Sequence, residues 1–175
     1  CGACSQICPK YCIVMSQDEE GFLYPSVNKE TCVDCGLCEK VCPVINQRTP
    51  HNKVQQAYAA INRVESIRMT SSSGGVFRAI ADVVIRDNGV VFGAKFDDDY
   101  FVIHDSTEAS DGLAAFQGSK YVQSEIRDCY QRAKIFLDQG RRVLFSGTPC
   151  QIAGLNLFLR KSYSNLVTVD LICHG

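Results

Sequence analysis

Four cysteines and a proline stand at fixed spacing in Cys32-Val33-Asp34-Cys35-Gly36-Leu37-Cys38-Glu39-Lys40-Val41-Cys42-Pro43. Three thiolates two residues apart can wrap one face of an iron–sulfur cube, and the fourth lies beyond a helical turn. Two simpler readings compete. Cys-x2-Cys pairs also serve zinc, but zinc takes two such pairs separated by a longer loop. A disulfide framework suits small secreted chains, and no signal peptide is visible. Iron–sulfur chemistry accounts for the spacing best.

The pattern occurs a second time. Cys1-Gly2-Ala3-Cys4-Ser5-Gln6-Ile7-Cys8-Pro9 superposes on Cys35 to Pro43 at a constant offset of 34 residues. The counterpart of Cys32 would fall ahead of residue 1, so the sequence reads as a fragment cut inside a motif. Cys12 has no counterpart, since Asn46 stands there; it reads as a spare or packing thiol. The paired runs resemble a bacterial-type two-cluster ferredoxin module. That resemblance implies crossed ligation of two [4Fe-4S] clusters. One cluster takes Cys32, Cys35, Cys38 and Cys8, and the other takes Cys1, Cys4 and Cys42 plus a ligand upstream.

Eleven cysteines, eight of them within the first 42 residues, indicate a reducing, cytoplasmic setting. The chain has 175 residues, 46% of them hydrophobic, which suffices for a small module and a packed domain. A net charge of −1 without like-charge blocks speaks against nucleic acid or an anionic membrane as main partner. No apolar run approaches the ~18 residues of a membrane span.

The elements that must position these thiols divide into two parts. Ile13-Val14-Met15 and Gly21-Phe22-Leu23-Tyr24-Pro25 read as a hairpin around Asp18-Glu19-Glu20. The polar stretch 47–53 marks a boundary, giving a ferredoxin module over 1–49 and a second domain over 50–175. There, strands are expected over Gln55–Arg63, Val90–Ala94, Phe101–His104, Arg142–Ser146 and Leu166–Ile172, the last two buried. Helices are expected over Val76–Arg86, Ser124–Asp138 and Gln151–Arg160. Together these give an α+β module followed by an incomplete α/β domain with a mostly parallel sheet and helices on its faces.

Two segments of the second domain could bind a ligand. Ser71-Ser72-Ser73-Gly74-Gly75 precedes a helix and could cradle a phosphate, although alone it reads as a serine N-cap and a glycine turn. Gly147-Thr148-Pro149-Cys150-Gln151 follows a buried strand at the end where α/β sheets bind ligands. Cys150 there is a possible nucleophile or metal ligand, and Cys173 ends the next strand; two buried structural cysteines explain the spacing about as well. His51, His104 and Cys129 have no supporting constellation.

The second domain resembles the beta subunit family of coenzyme F420-reducing hydrogenase and related dehydrogenases. The likeness is carried by Ser71–Phe77, Gly118–Ser124, Leu144–Gln151 and Asp170–Gly175. It implies an iron–sulfur flavoprotein oxidoreductase that passes electrons between clusters and FAD and on to an organic hydride acceptor, coenzyme F420 or another. It further implies flavin contacts at Ser72, Ser73, Gly74 and Gly75, flavin or substrate contacts at Lys120 and Thr148, and a further cluster at Cys150 and Cys173. The implied partner is a redox protein or a hydrogenase or dehydrogenase subunit. The alternative is a non-catalytic electron-transfer subunit that docks a partner enzyme.

Overall fold

The structure is a computed structural model that describes residues 1–47 and 55–172. The expected boundary at 47–53 lies outside them apart from Gln47, and so does Cys173-His174-Gly175. The cysteine-rich part contains helix α1 (Ala3–Ile7), strands β1 (Ile13–Gln17) and β2 (Leu23–Val27), and helix α2 (Leu37–Lys40). The hairpin forms as expected, with Ile13 opposite Val27 and Gln17 opposite Leu23. Its turn is organised by Asp18, whose carboxylate accepts the backbone N–H groups of Glu20 and Phe22 at 3.0 and 2.8 Å. Each short helix starts from a left-handed glycine, Gly2 at φ 72° and Gly36 at φ 66°. These two glycines are equivalent under the 34-residue offset, so the repeat in sequence is also a repeat in backbone shape.

The second part holds α3 (Glu65–Met69), α4 (Val76–Arg86), β3 (Val90–Phe96), β4 (Val102–Thr107), a 3-10 helix (Asp111–Phe116), α5 (Cys129–Asp138), β5 (Val143–Gly147), α6 (Pro149–Leu159) and β6 (Leu166–Asp170). The strands lie in the order β4-β3-β5-β6. Side chains alternate between the faces of a strand. Val90, Phe92, Val143 and Phe145 therefore join residues of α5 and α6 in one cluster, while Val91 and Leu144 meet Ala81 and Val84 of α4 and Leu113 and Phe116 of the 3-10 helix in another. Burial on both faces explains why β5 reads as an unbroken apolar run.

The sheet is mixed, with two parallel pairings, β3–β5 and β5–β6, and an antiparallel hairpin of β3 and β4. The connection through Asp97 is a tight turn, too short for a parallel crossover, and Asp97 holds it by accepting N–H groups of Asp99 and Phe101. Gln55–Arg63 is not a strand: it pairs with no strand of the described sheet and instead bonds to the glycine run, Asn62 N–H to Gly74 O at 2.6 Å. Strand propensity without a neighbouring strand does not make a strand. The helix expected from Ser124 begins at Cys129, because Arg127 sits at φ 50° and Glu125 bridges to Ile103 of β4. β6 stops at Asp170 and is largely exposed, lying at the edge of the described sheet.

His104 in β4 is 2% exposed, with its ring stacked on Phe145 and Nε2 3.0 Å from the Ser146 carbonyl oxygen. Its Nδ1 is buried without a partner among the described residues. Burial pulls its pKa from an ordinary 6.5 down to about 4, against the opposing pull of the Ser146 contact. The native state thus holds a neutral imidazole that the unfolded chain would protonate, so stability is full above pH 6.5 and falls as pH drops towards 4. Urea unfolding should register a loss of up to about 3 kcal/mol across that window. A His104→Gln variant should show a flatter pH profile, and an unchanged profile would remove His104 as its source.

Candidate metal centre

The two cysteine runs fold so that their thiols gather in different places. Cys8, Cys12, Cys32, Cys35 and Cys38 line one cavity, together with Pro9, Ile13, Gly36 and Leu37. Cys42 is not among its lining residues; it lies close enough to Cys4 to influence that thiol. Burial is the main cause that pushes the Cys4 thiol up, with a smaller push from Cys42, and the Ser5 backbone N–H opposes it. Cys1 lies against α6 and lines a second cleft with Gly2, Ser5, Met15, Leu23 and Gln123 to Arg127.

Cys12 is the residue that spacing alone did not place. It is buried, with its sulfur 3.3 Å from that of Cys8. The Cys12 backbone N–H, more than its thiol, draws the Cys8 pKa down. Donation to Cys8, reinforced by burial, pushes Cys12 up to about 11. The only sequence signal was its place three residues past the Cys8-Pro9 end of the repeat. All ten described cysteines are free thiols, so no disulfide competes for them among the described residues.

The donor set fits an iron–sulfur cube. Thiolates are the ligands such clusters take. Gly36, in the left-handed conformation, lines the cavity, and a Cβ there would meet nothing within 4 Å. Among the described residues no three Cys, His, Asp or Glu side chains converge on a point that would hold a single ion. A cube differs from a single ion in taking each thiolate on a separate iron.

In the second domain, the expected ligand residues are engaged within the protein. Ser71 Oγ donates to Ile67 O at 2.7 Å, and Ser72 Oγ accepts the Ser119 N–H at 2.6 Å. Gly75, not a serine, is the N-cap of α4, at φ 72° and with no side-chain cap. A Cβ on Gly74 would lie 2.7 Å from Ala60 O, so this glycine admits the passing 60–62 segment. Ser73 is exposed. Lys120 Nζ donates to the carbonyls of Ala115 and Gln117 at 3.0 and 2.8 Å, and burial lowers its pKa. Thr148 caps α6 in a reciprocal box with Gln151. Cys150 is exposed, with its sulfur 3.2 Å from Thr148 Oγ1. Cys173 lies outside the described residues. Cys129 is fully buried and pushed up to about 12 by burial, an inert packing thiol.

The serine run and the Gln117–Lys120 loop stand together through the Ser72–Ser119 bond and through Gln117 Nε2 to Ser71 Oγ at 3.2 Å. Phe116, next in the chain, approaches Gly93 of β3, as does the Ser146 hydroxyl of β5. No contact joins the serines to Cys150 directly among the bonds of the described residues.

Comparison with known proteins agrees with the geometry of the cysteine part. Residues 1–46 match the family of 4Fe-4S dicluster domains. A stretch of 42 residues is 38% identical to a protein named Ferredoxin 7Fe from Hydrogenibacillus schlegelii, covering 24% of this chain and 47% of that one. The chain thus spans about half the length of that relative. Residues 1–46 form a 4Fe-4S dicluster domain of ferredoxin type, an iron–sulfur electron-transfer domain. Among the described residues no helix is long and apolar enough to cross a membrane.

The crowding at Gly74 yields a direct test. Gly74→Val should lower the thermal midpoint of the full chain, at a cost of about 1–3 kcal/mol, because backbone cannot move aside cheaply. Circular dichroism melting checks this. An unchanged midpoint would mean that the glycine is not packed against Ala60 and is free to face a ligand.

Proposed function

We propose that the chain uses its dicluster domain to carry electrons to and from the second domain, as part of an iron–sulfur flavoprotein oxidoreductase. The carrying observation is the cavity in which Cys8 from the first run meets Cys32, Cys35 and Cys38 from the second. It supports an outer cluster held by these four thiolates and an inner one held by Cys1, Cys4 and Cys42 in crossed ligation. Bound clusters would take and give single electrons, and a bound FAD would couple single electrons to hydride exchange with a small organic acceptor. The module is taken as 1–49 and the flavin domain as 50–175. Cys150, with Cys173, is a candidate for a further cluster. A cytoplasmic setting and a redox partner protein, such as a hydrogenase or dehydrogenase subunit, complete this reading.

The protein's own groups carry distinct parts of this work. Burial of Cys8 and Cys12 beside Ile13 keeps water from one wall of the outer site. The Cys12 backbone N–H favours the thiolate form of Cys8, the form that binds iron. In the second domain Ser73 and the peptide groups of the glycine run remain as candidate flavin contacts, with Thr148 at the α6 N-terminus. One observation favours a second reading, a subunit that transfers electrons without its own flavin: Ser71, Ser72 and Lys120 already have protein partners.

Anaerobic purification of the full chain, followed by iron, acid-labile sulfide and flavin analysis, separates the two readings. Iron and sulfide with stoichiometric flavin are expected for the oxidoreductase; clusters without flavin select the transfer subunit. A Cys35→Ala variant should bind flavin as the parent does and lose its reduction by a low-potential protein donor, such as a reduced ferredoxin, that delivers electrons through the clusters. Retention of full flavin reduction in that variant would sink the module as the electron entry.

A further inference from the structure

The two cysteine runs are repeats in sequence, but their surroundings differ. Residues around Cys1, Cys4 and Cys42 belong to the core of the second domain. Ala3 and Val41 are 0% and 1% exposed and share one cluster with Ile126, Tyr130 and Leu155, and Cys1 and Ile7 pack against it. Residues around the other set face solvent. Cys35 is exposed, as are Pro9, Lys10, Val33 and Asp34. The position equivalent to buried Ala3 is Leu37, which is half-exposed.

The junction is built residue by residue. Tyr130 of α5 places its hydroxyl 2.8 Å from the carbonyl oxygens of both Cys1 and Gln151, tying the Cys1 limb to α6. Gln6 of α1 accepts the N–H groups of Tyr130 and Gln131 at 3.0 and 3.3 Å. Asp128, the N-cap of α5, makes no side-chain cap, so the module caps this helix from outside. Gln131 returns a bond to Gln6 O at 2.8 Å. Gly154 lies in the interior of α6, where a glycine costs about 1 kcal/mol relative to alanine. A Cβ there would stand 3.1 Å from Cys1 Sγ, 3.2 Å from Cys1 Cβ and 3.2 Å from Tyr130 Oη. The missing side chain is what lets the thiol-bearing limb close on the helix. Cys150 sits one turn earlier on the same side of α6.

We infer that the second domain is a structural part of the inner cluster site: α5 and α6 hold the Cys1 limb through Tyr130 and Gly154, while the outer site is left to the module and open to solvent. Gly154, Tyr130 and Gln6 are positioning residues, not ligands. This inference rests on the cluster assignment proposed above. It goes beyond that assignment in making the two clusters depend on different parts of the chain and in placing the inner one against α6.

Variants of the full chain test it after anaerobic reconstitution. Gly154→Leu should lose about half of the iron and sulfide, one cluster of two. The surviving signal in the electron paramagnetic resonance spectrum of the reduced protein should be that of the outer cluster. Cys35→Ala should lose the complementary signal and keep the inner one. Asn156→Leu, on the exposed side of α6, should keep both. Tyr130→Phe should keep both clusters while shifting the midpoint potential of the inner one alone, a readout that a general loss of stability would not produce. The inference is overturned if Gly154→Leu retains parental iron and both signals. It is equally overturned if that variant loses both clusters together while Asn156→Leu keeps them. A parental protein that reconstitutes no cluster would instead refute the cluster assignment itself.

Discussion

A segment of the size of residues 1–46 cannot bury enough apolar surface to hold a shape unaided. Its own apolar cluster consists of Cys8, Cys12 and Ile13, with Cys4, Cys32 and Cys38 packed around it. Two devices make up the deficit. Thiolate ligation, where metal is bound, replaces a core on one side. On the other side α1 and α2 borrow the core of the second domain through Ala3, Ile7 and Val41. The helices are five and four residues long, too short to be stable by themselves. Their positions follow from what they lean on.

The second domain can lend a core because its sheet is covered twice. One face of β3 and β5 meets α4 and the 3-10 helix, and the other meets α5 and α6. The outward side of the α5–α6 layer is therefore free to receive the module. Tyr130 joins the layers: its ring packs on Phe145 of the sheet and Phe158 of α6, while its hydroxyl reaches Cys1. Burial holds its pKa well above the ordinary phenol value, so it stays protonated and able to donate.

Much of this was legible in the residues, for reasons that differ by element. The thiol spacing declared the cluster chemistry because ligand geometry is local, spanning a dozen residues. The α4 helix appeared in its observed bounds, Val76 to Arg86, because its apolar positions recur with the helical period. Asp18 announced its turn, since a short carboxylate bonds its own neighbouring backbone. The readings that changed depend on partners distant in the chain. Gln55–Arg63 has the composition of a strand and lacks a neighbour. The α5 start was misplaced because nothing in the sequence marks Arg127 as left-handed. Ser72 looked like a free hydroxyl until Ser119, 47 residues on, was seen to bond it. Gly154 was legible in principle, since a glycine inside a helix calls for a reason, but Cys1 supplies that reason from the far end of the chain.

The openness of the outer site has a chemical cost. Cys35 reaches solvent, and the lip beside it is made of exposed Val33, Asp34 and Lys10. An opening that exposes Cys35 to solvent exposes it to dioxygen and peroxide as well, and a free, exposed thiolate is a form these oxidants attack. Air damage to such a protein would start from the exposed end and work inward, with the limb clamped under α6 the last to be reached. Any electron route through this exposed side would then share it with the route by which the protein ages.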